Sequence, residues 1–359
     1  MGSTRAEAAA GVRHLLGHLL MPLLMCVGMG LAYLGGFHHP EPNGLRVVVV
    51  GDQAATKVLA QTLKDTAGDA LDVRTVPDRT AAVRELRADT ISGAYVPDRR
   101  HPELLVASAA SGTTADAVKQ VFGTVALRQG APLTVTDVVT PARGDPTGQG
   151  LFFLLVAISI GSYTGVAAIG AAGARLRIGL RAAFGLGLSL VVSLLGALFA
   201  GPVFHLVDHD LPALWALGWL YSAGVLAIGI GLHTFLKRWT TLALMVLFVM
   251  LNFTTAGGVF RPELQPRFFG ALHSFWNGAG FVEGLRALLY FDGHGAGGRI
   301  LALVLWFVAG LAVLGVAAVA EHRRASRTPE VGFRAVPERS AGSDRAAAED
   351  EEIEEAVPA

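Results

Sequence analysis

The sequence predicts an α-helical polytopic membrane protein of six transmembrane helices, with an α/β domain outside the membrane between the first and second. Three observations carry that expectation. Apolar residues make up 52% of the 359-residue chain and charged residues only 16%. The apolar residues gather in runs long enough to cross a bilayer, none containing Asp, Glu, Lys or Arg. A charge at a helix centre costs roughly 2.5 to 3.5 kcal/mol on insertion scales, so the absence of charge from every run points to lipid. Between the first and second runs, strand-like and helix-like patterns alternate instead.

Residues 1–14 form a short polar lead with Arg5 and Arg13, and 15–37 the first span. That run is longer than a signal-peptide core of about 7 to 15 residues and no clear Ala-x-Ala site follows, so it is expected to remain as an uncleaved signal anchor. The single Cys26 lies inside it, which excludes an intrachain disulfide.

In 38–149, the run LRVVVV at Leu45–Val50 predicts a buried strand. Helical spacing over 54–66, 80–88 and 114–129 and strand patterns at 72–76, 91–96, 103–107 and 134–139 complete a small α/β layer domain. Gly51-Asp52 has the start of a phosphate loop without its later glycines, and an ordinary strand–helix turn explains it. No G-x-x-x-x-G-K-[ST] occurs, so ATP hydrolysis would belong to another chain, and nothing marks this one as an enzyme.

The membrane domain is expected over 150–320, with spans at 151–174, 182–207, 211–236, from Thr241, and at 300–320. Arg175, Arg177 and Arg181, then Lys237-Arg238, then His322-Arg323-Arg324 would all fall on one side, and the turn Asp208-His209-Asp210 on the other. The positive-inside rule puts the basic side and both termini in the cytoplasm of a cell-membrane protein. His205 and His209 flank an acidic turn, but interfacial polar residues suffice to explain them and no metal is assigned. Small-residue stripes at 161–173 and 185–189 favour close helix packing over lining a path. Residues 321–359 end in an acidic run and read as a disordered cytoplasmic tail, and zero net charge argues against a nucleic-acid partner.

The fifth span is the unusual one. After TLALMVLFVMLNF it breaks into Thr254-Thr255-Ala256-Gly257-Gly258, followed by Pro262, Pro266 and the aromatic, half-polar stretch 267–290. Such a sequence continues a membrane helix only where protein or water takes the freed backbone groups. Glu283 and Arg286 lie three apart on one helical face, so 261–292 is expected to be a re-entrant or interfacial helical hairpin on the outer side.

The order of anchor span, external α/β domain and five spans, with Asn252-Phe253-Thr254-Thr255-Ala256-Gly257-Gly258, Pro262-Glu263-Leu264-Gln265-Pro266 and Phe268-Phe269, resembles the membrane subunit of type 2 ABC exporters. Within these it is most similar to the YhgE/Pip (phage-infection-protein-like) branch. The resemblance implies a permease that works as a homodimer or heterodimer with a separate nucleotide-binding ATPase, ATP being held by that partner and no cofactor by this chain. It further implies a gate at Asn252, Thr255, Gly257, Gly258, Pro262, Pro266, Phe268 and Phe269, and coupling to the ATPase through Arg175, Arg177, Arg181, Lys237 and Arg238. Spans without charge favour an amphipathic or lipid-like substrate. The other expectation is a non-transporting surface receptor or a secretion or cell-wall accessory protein whose external α/β domain binds a ligand.

Overall fold

The computed structural model describes residues 2–326. Helix α1 (Gly2–Phe37) is continuous, so the expected polar lead is part of the first helix and its apolar stretch starts earlier, at Ala10. The expected acidic tail lies outside the described residues from 327 on.

The α/β domain follows in the predicted order: β1 (Leu45–Val50), α2 (Ala54–Ala67), β2 (Leu71–Val76), α3 (Arg79–Arg87), β3 (Gly93–Val96), β4 (Glu103–Val106), α4 (Gly112–Arg128) and β5 (Thr134–Asp137). Its sheet runs β2-β1-β3-β4-β5, and only the β3–β4 pair is antiparallel. Alternation in β1 serves two cores. Leu45, Val47 and Val49 pack with Tyr95 and Phe122, while Val48 and Val50 pack with Leu86, Leu105 and Phe291. Phe291 comes from the far end of the chain, so the domain is seated on the helical part by a ring inserted into its core.

Among the described residues, five helical segments are long and apolar enough to cross a membrane: Ala10–Phe37, Gly150–Ala172, Ile178–Val203, Leu211–Thr255 and Ala296–Ala325. They suit a membrane-embedded protein, and their exposed faces carry large apolar side chains such as Leu23, Leu31, Phe184, Leu194 and Leu305.

The second, third and last of these are α5 (Gly150–Ala172), α6 (Ile178–Leu198, closed by a π turn at Phe199–Val203) and α12 (Ala296–Ala325). The fourth, 45 residues long, is twice what one crossing needs, about 20 residues. It folds back on itself. Helix α7 (Leu211–Leu236) ends at Lys237, whose φ is 48°, and the chain returns as α8 (Thr240–Met245), a π turn (Val246–Met250) and α9 (Leu251–Thr255). Asn252 and Tyr221, 31 residues apart and nearly equidistant from Lys237, are hydrogen-bonded at 2.9 Å, which fixes the antiparallel register.

Helix α7 is the central post, touched by α5, α6, α8, α12 and the hairpin helix α11 (Asn277–Tyr290). Small residues make that possible: a Cβ on Gly310 would stand 2.8 Å from that of Ala227 and 3.2 Å from the Gly224 carbonyl, so α12 and α7 meet backbone to backbone.

The two ends of the bundle differ. Arg181 of α6 pairs with Glu321 of α12, and Thr234 of α7 reaches the same carboxylate at 3.5 Å, gathering the basic turns at one end. The α/β domain, the turn at 204–210 and the hairpin lie at the other.

Candidate functional site

The fifth run does break where its composition demands, and the hairpin supplies what the broken helix lacks. Past Thr255 the last carbonyls of α9 have no intrahelical partner and no water is expected within an apolar bundle. Two side chains take those of Thr254 and Thr255, and a third reaches the turn beyond. Gln265 Nε2 donates to Thr254 O at 2.7 Å, His273 Nδ1 to Thr255 O at 2.8 Å, and Arg286 Nη2 reaches Gly257 O at 3.4 Å.

Both glycines of the turn are required. Gly257 has φ +75°, and a Cβ there would meet Glu283 Oε1 at 2.6 Å and the His273 ring at 2.7 Å. A Cβ on Gly258 would lie 2.3 Å from the Phe152 ring. Phe152, in the first turn of α5, also meets Phe253 edge-on at 6.0 Å. Phe152 thus packs α5 against the break at this end, and from there α5 and α8–α9 share one apolar core. At the basic end α5 and the α7–α8 bend leave a groove of about 320 Å³ lined by Tyr163, Val166, Leu244, Lys237, Arg238 and Thr240 among others.

Below the turn, α10 (Arg267–His273) and α11 hold a buried charge network. Arg261 grips Asp89 of the α/β domain through both Nη atoms at 2.8 Å, approaches Glu283 at 3.5 Å and Glu263 at 3.8 Å. Glu283 takes a second cation from Arg286 at 2.7 Å. Arg299 donates to the carbonyl of His273 at 3.1 Å and to its Nε2 at 3.2 Å.

Three arginines (261, 286, 299) thus face three carboxylates (89, 263, 283), and the region is neutral if His273 carries no proton. Burial alone raises the Glu283 carboxyl, but Arg261 and Arg286 outweigh it and hold it down to about 2. Burial pushes His273 down to about 4, against the opposing pull of Glu283. Its Nδ1 is then the protonated nitrogen and its Nε2 lone pair belongs to Arg299, so the 4.0 Å approach to Glu283 is not an ion pair. Arg261 is kept charged: burial works against it, and Glu283, Glu263 and Asp89 more than offset that.

A second polar seam crosses the bundle. Ser159 donates to Leu155 O, so Tyr221 must donate to Ser159 (2.6 Å) and accept from Asn252 Nδ2. That order orients the Asn252 amide, leaving its Oδ1 towards Gly278. The π turn has a use as well: the Trp276 indole donates to the Leu247 carbonyl inside it at 3.1 Å.

No family model, curated protein or solved structure matches this chain.

The expected gate residues have distinct places. Asn252, Thr255, Gly257 and Gly258 are at the break. Pro262 opens a 3₁₀ turn, Pro266 caps α10, and Phe269 is buried against Gly35 and Gly36 of α1, whereas Phe268 is 62% exposed. Of the expected coupling residues, Arg175 and Arg177 stand exposed in the turn between α5 and α6, and Arg238 lies over Trp239 at 5.4 Å from the ring centre. Arg181 belongs to α6, 5% exposed and ion-paired with Glu321, so it faces inward from that turn. His209 bonds the Leu289 carbonyl at 3.0 Å, anchoring its turn to α11.

The reading of residues alone found the Glu283–Arg286 pair but did not join it to Arg261, Arg299, Asp89 or His273. The available signal within the hairpin was Arg261, His273, Glu283 and Arg286 recurring in a stretch otherwise too apolar to leave the protein.

Proposed function

We propose that this chain is the membrane subunit of an ABC-type exporter that moves an amphipathic or lipid-like substrate, energised by a separate ATPase. One observation supports the reading above the rest. A groove opens between α5 and the α7–α8 bend at the basic end, while at the other end Phe152 packs on Gly258 beneath a hairpin pinned to the α/β domain through Arg261 and Asp89. A bundle that opens at one end only, capped at the other by a broken helix held by side chains, suits one state of an alternating-access cycle.

In this reading the arms of the 211–255 hairpin count as separate crossings, giving six, with the basic end and both termini cytoplasmic and the α/β domain outside. Arg175 and Arg177, with Lys237 and Arg238, form the exposed basic surface on which an ATPase would dock. The contact at the break is made by apolar rings and Glu283 is held by Arg261 and Arg286, which favours a substrate with an apolar body over a small ion.

The test is purification of the full-length chain from native membranes followed by mass identification of what comes with it. A nucleotide-binding ATPase, with ATP-dependent movement of a lipid-like solute after reconstitution, supports the exporter. Export of a highly charged, lipid-free solute contradicts the substrate class.

A second reading, a surface receptor, is favoured by a polar cleft of about 420 Å³ between the α/β domain and the glycine turn, lined by Ser108, Ser111, Asp116, Lys119, Asp137 and Val259 among others. Capture of an external ligand by the full-length chain, with no ATPase in any preparation, supports that alternative.

A further inference from the structure

We infer that the groove at the basic end, between α5 and the α7–α8 bend, is a binding site for a membrane lipid with an anionic phosphate head group. The inference goes beyond export, since it needs only the groove and holds whether or not the chain transports anything.

Four features of one place carry it. The floor is apolar, built by Tyr163, Val166 and Leu244, and its volume of about 320 Å³ fits a head group with the start of a tail. The mouth carries Lys237 and Arg238, both exposed and, among the described residues, without a carboxylate partner. Glu321, the carboxylate of α12 at this end of the fold, is already taken by Arg181. Thr240, 3% exposed, lines the same groove, and its hydroxyl has no hydrogen-bond partner among the described residues.

The fourth feature is the level. Trp239, 38% exposed, stands between Arg238 and Thr240, and tryptophan settles where head groups meet hydrocarbon. Two cations and a hydroxyl at that height, over an apolar slot open to the helix flank, match a phosphate with an acyl tail. A zwitterionic head group would bring its own cation against Lys237 and Arg238, and a free phosphate would leave the apolar floor unused.

The experiment uses the full-length protein in a neutral detergent, titrated with phosphatidylglycerol, with phosphatidylcholine of the same tails, and with inorganic phosphate, and read by native mass spectrometry. The expected result is a tightly held phosphatidylglycerol, no comparable phosphatidylcholine adduct, and no displacement by inorganic phosphate. Lys237→Gln with Arg238→Gln should weaken the anionic lipid roughly tenfold or more. Ala167→Trp, at an exposed position on the α5 wall of the groove, fills the slot and leaves every charge in place; it should do the same and carries the test if the double variant does not fold. Equal binding of the two lipids, a preference that survives both variants, or displacement by inorganic phosphate alone would each overturn the inference.

Discussion

Arg261 holds Asp89 with two parallel hydrogen bonds of 2.8 Å although 172 residues separate them, and the same guanidinium faces Glu283. One side chain therefore ties the α/β domain to the hairpin and neutralises a buried carboxylate.

The two roles separate by substitution. Arg261→Met leaves Glu283 with a single cation and should cost about 3 to 5 kcal/mol, the range for stranding a buried charge. Asp89→Asn loosens the domain but leaves Glu283 paired, and should cost much less. Thermal unfolding of the two detergent-solubilised variants, followed by size-exclusion profile, gives the order; a larger loss for Asp89→Asn would refute it.

Acid should weaken the hairpin in two stages. His273 and Glu283 both have folded values below their ordinary ones of 6.5 and 4.5, so the unfolded chain binds more protons on acidification and stability falls with pH. The His273 share is complete above pH 6.5 and is lost as pH falls towards about 4; the Glu283 share goes between 4.5 and about 2. His273→Gln should flatten the melting temperature between pH 6.5 and 4 while leaving the steeper loss below. A variant as pH-sensitive as the parent in the upper range contradicts this.

Gly258→Ala drives a methyl into Phe152 and should destabilise by about 1 to 3 kcal/mol, the cost of overpacking a tight site. Adding Phe152→Ala should recover part of that. The same rescue should fail for Gly257→Ala, which clashes with Glu283 and strains a backbone at φ +75°. Equal rescue of both would mean that Phe152 is not what bears on the turn.

Phe291→Ala empties the slot between the sheet and the hairpin and should cost about 3 to 5 kcal/mol. Because the loss falls on the seat of the domain, limited proteolysis should cut the linker 141–150 faster, and an unchanged rate would argue against the seat.

Tyr221→Phe leaves the Asn252 amide without an acceptor inside the bundle and should cost about 1 to 3 kcal/mol. Asn252→Leu removes the amide altogether and should be milder, with the double variant close to Asn252→Leu alone, as a double-mutant cycle would measure.

Much of the architecture was legible because it rests on local patterns. LRVVVV could only be an interior strand, and the glycine–proline break after Phe253 stops a membrane helix whatever surrounds it. What sequence could not supply was partnership at a distance. Asp89 sits in a turn of the α/β domain that carries no sequence signal, and only folding brings it to Arg261. His273 stands alone in an aromatic stretch, and nothing local says that its ring will serve the Thr255 carbonyl. The π turn at Val246–Met250 leaves no trace in an apolar run, because every residue there is hydrophobic on any period. Arg181 was grouped with Arg175 and Arg177 by proximity in the chain, while Glu321, 140 residues on, decides its direction.

The returning arm of the 211–255 hairpin has pieces of only 6, 5 and 5 residues, about 24 Å of helix at ~1.5 Å per residue, against a hydrocarbon layer of about 30 Å. Helix α1 lies along this short arm, with Gly28 against Met250 and Gly36 against Thr254. The stub is thus splinted by a neighbour of 36 residues, and the glycine turn is held at its level by a helix that the chain made first.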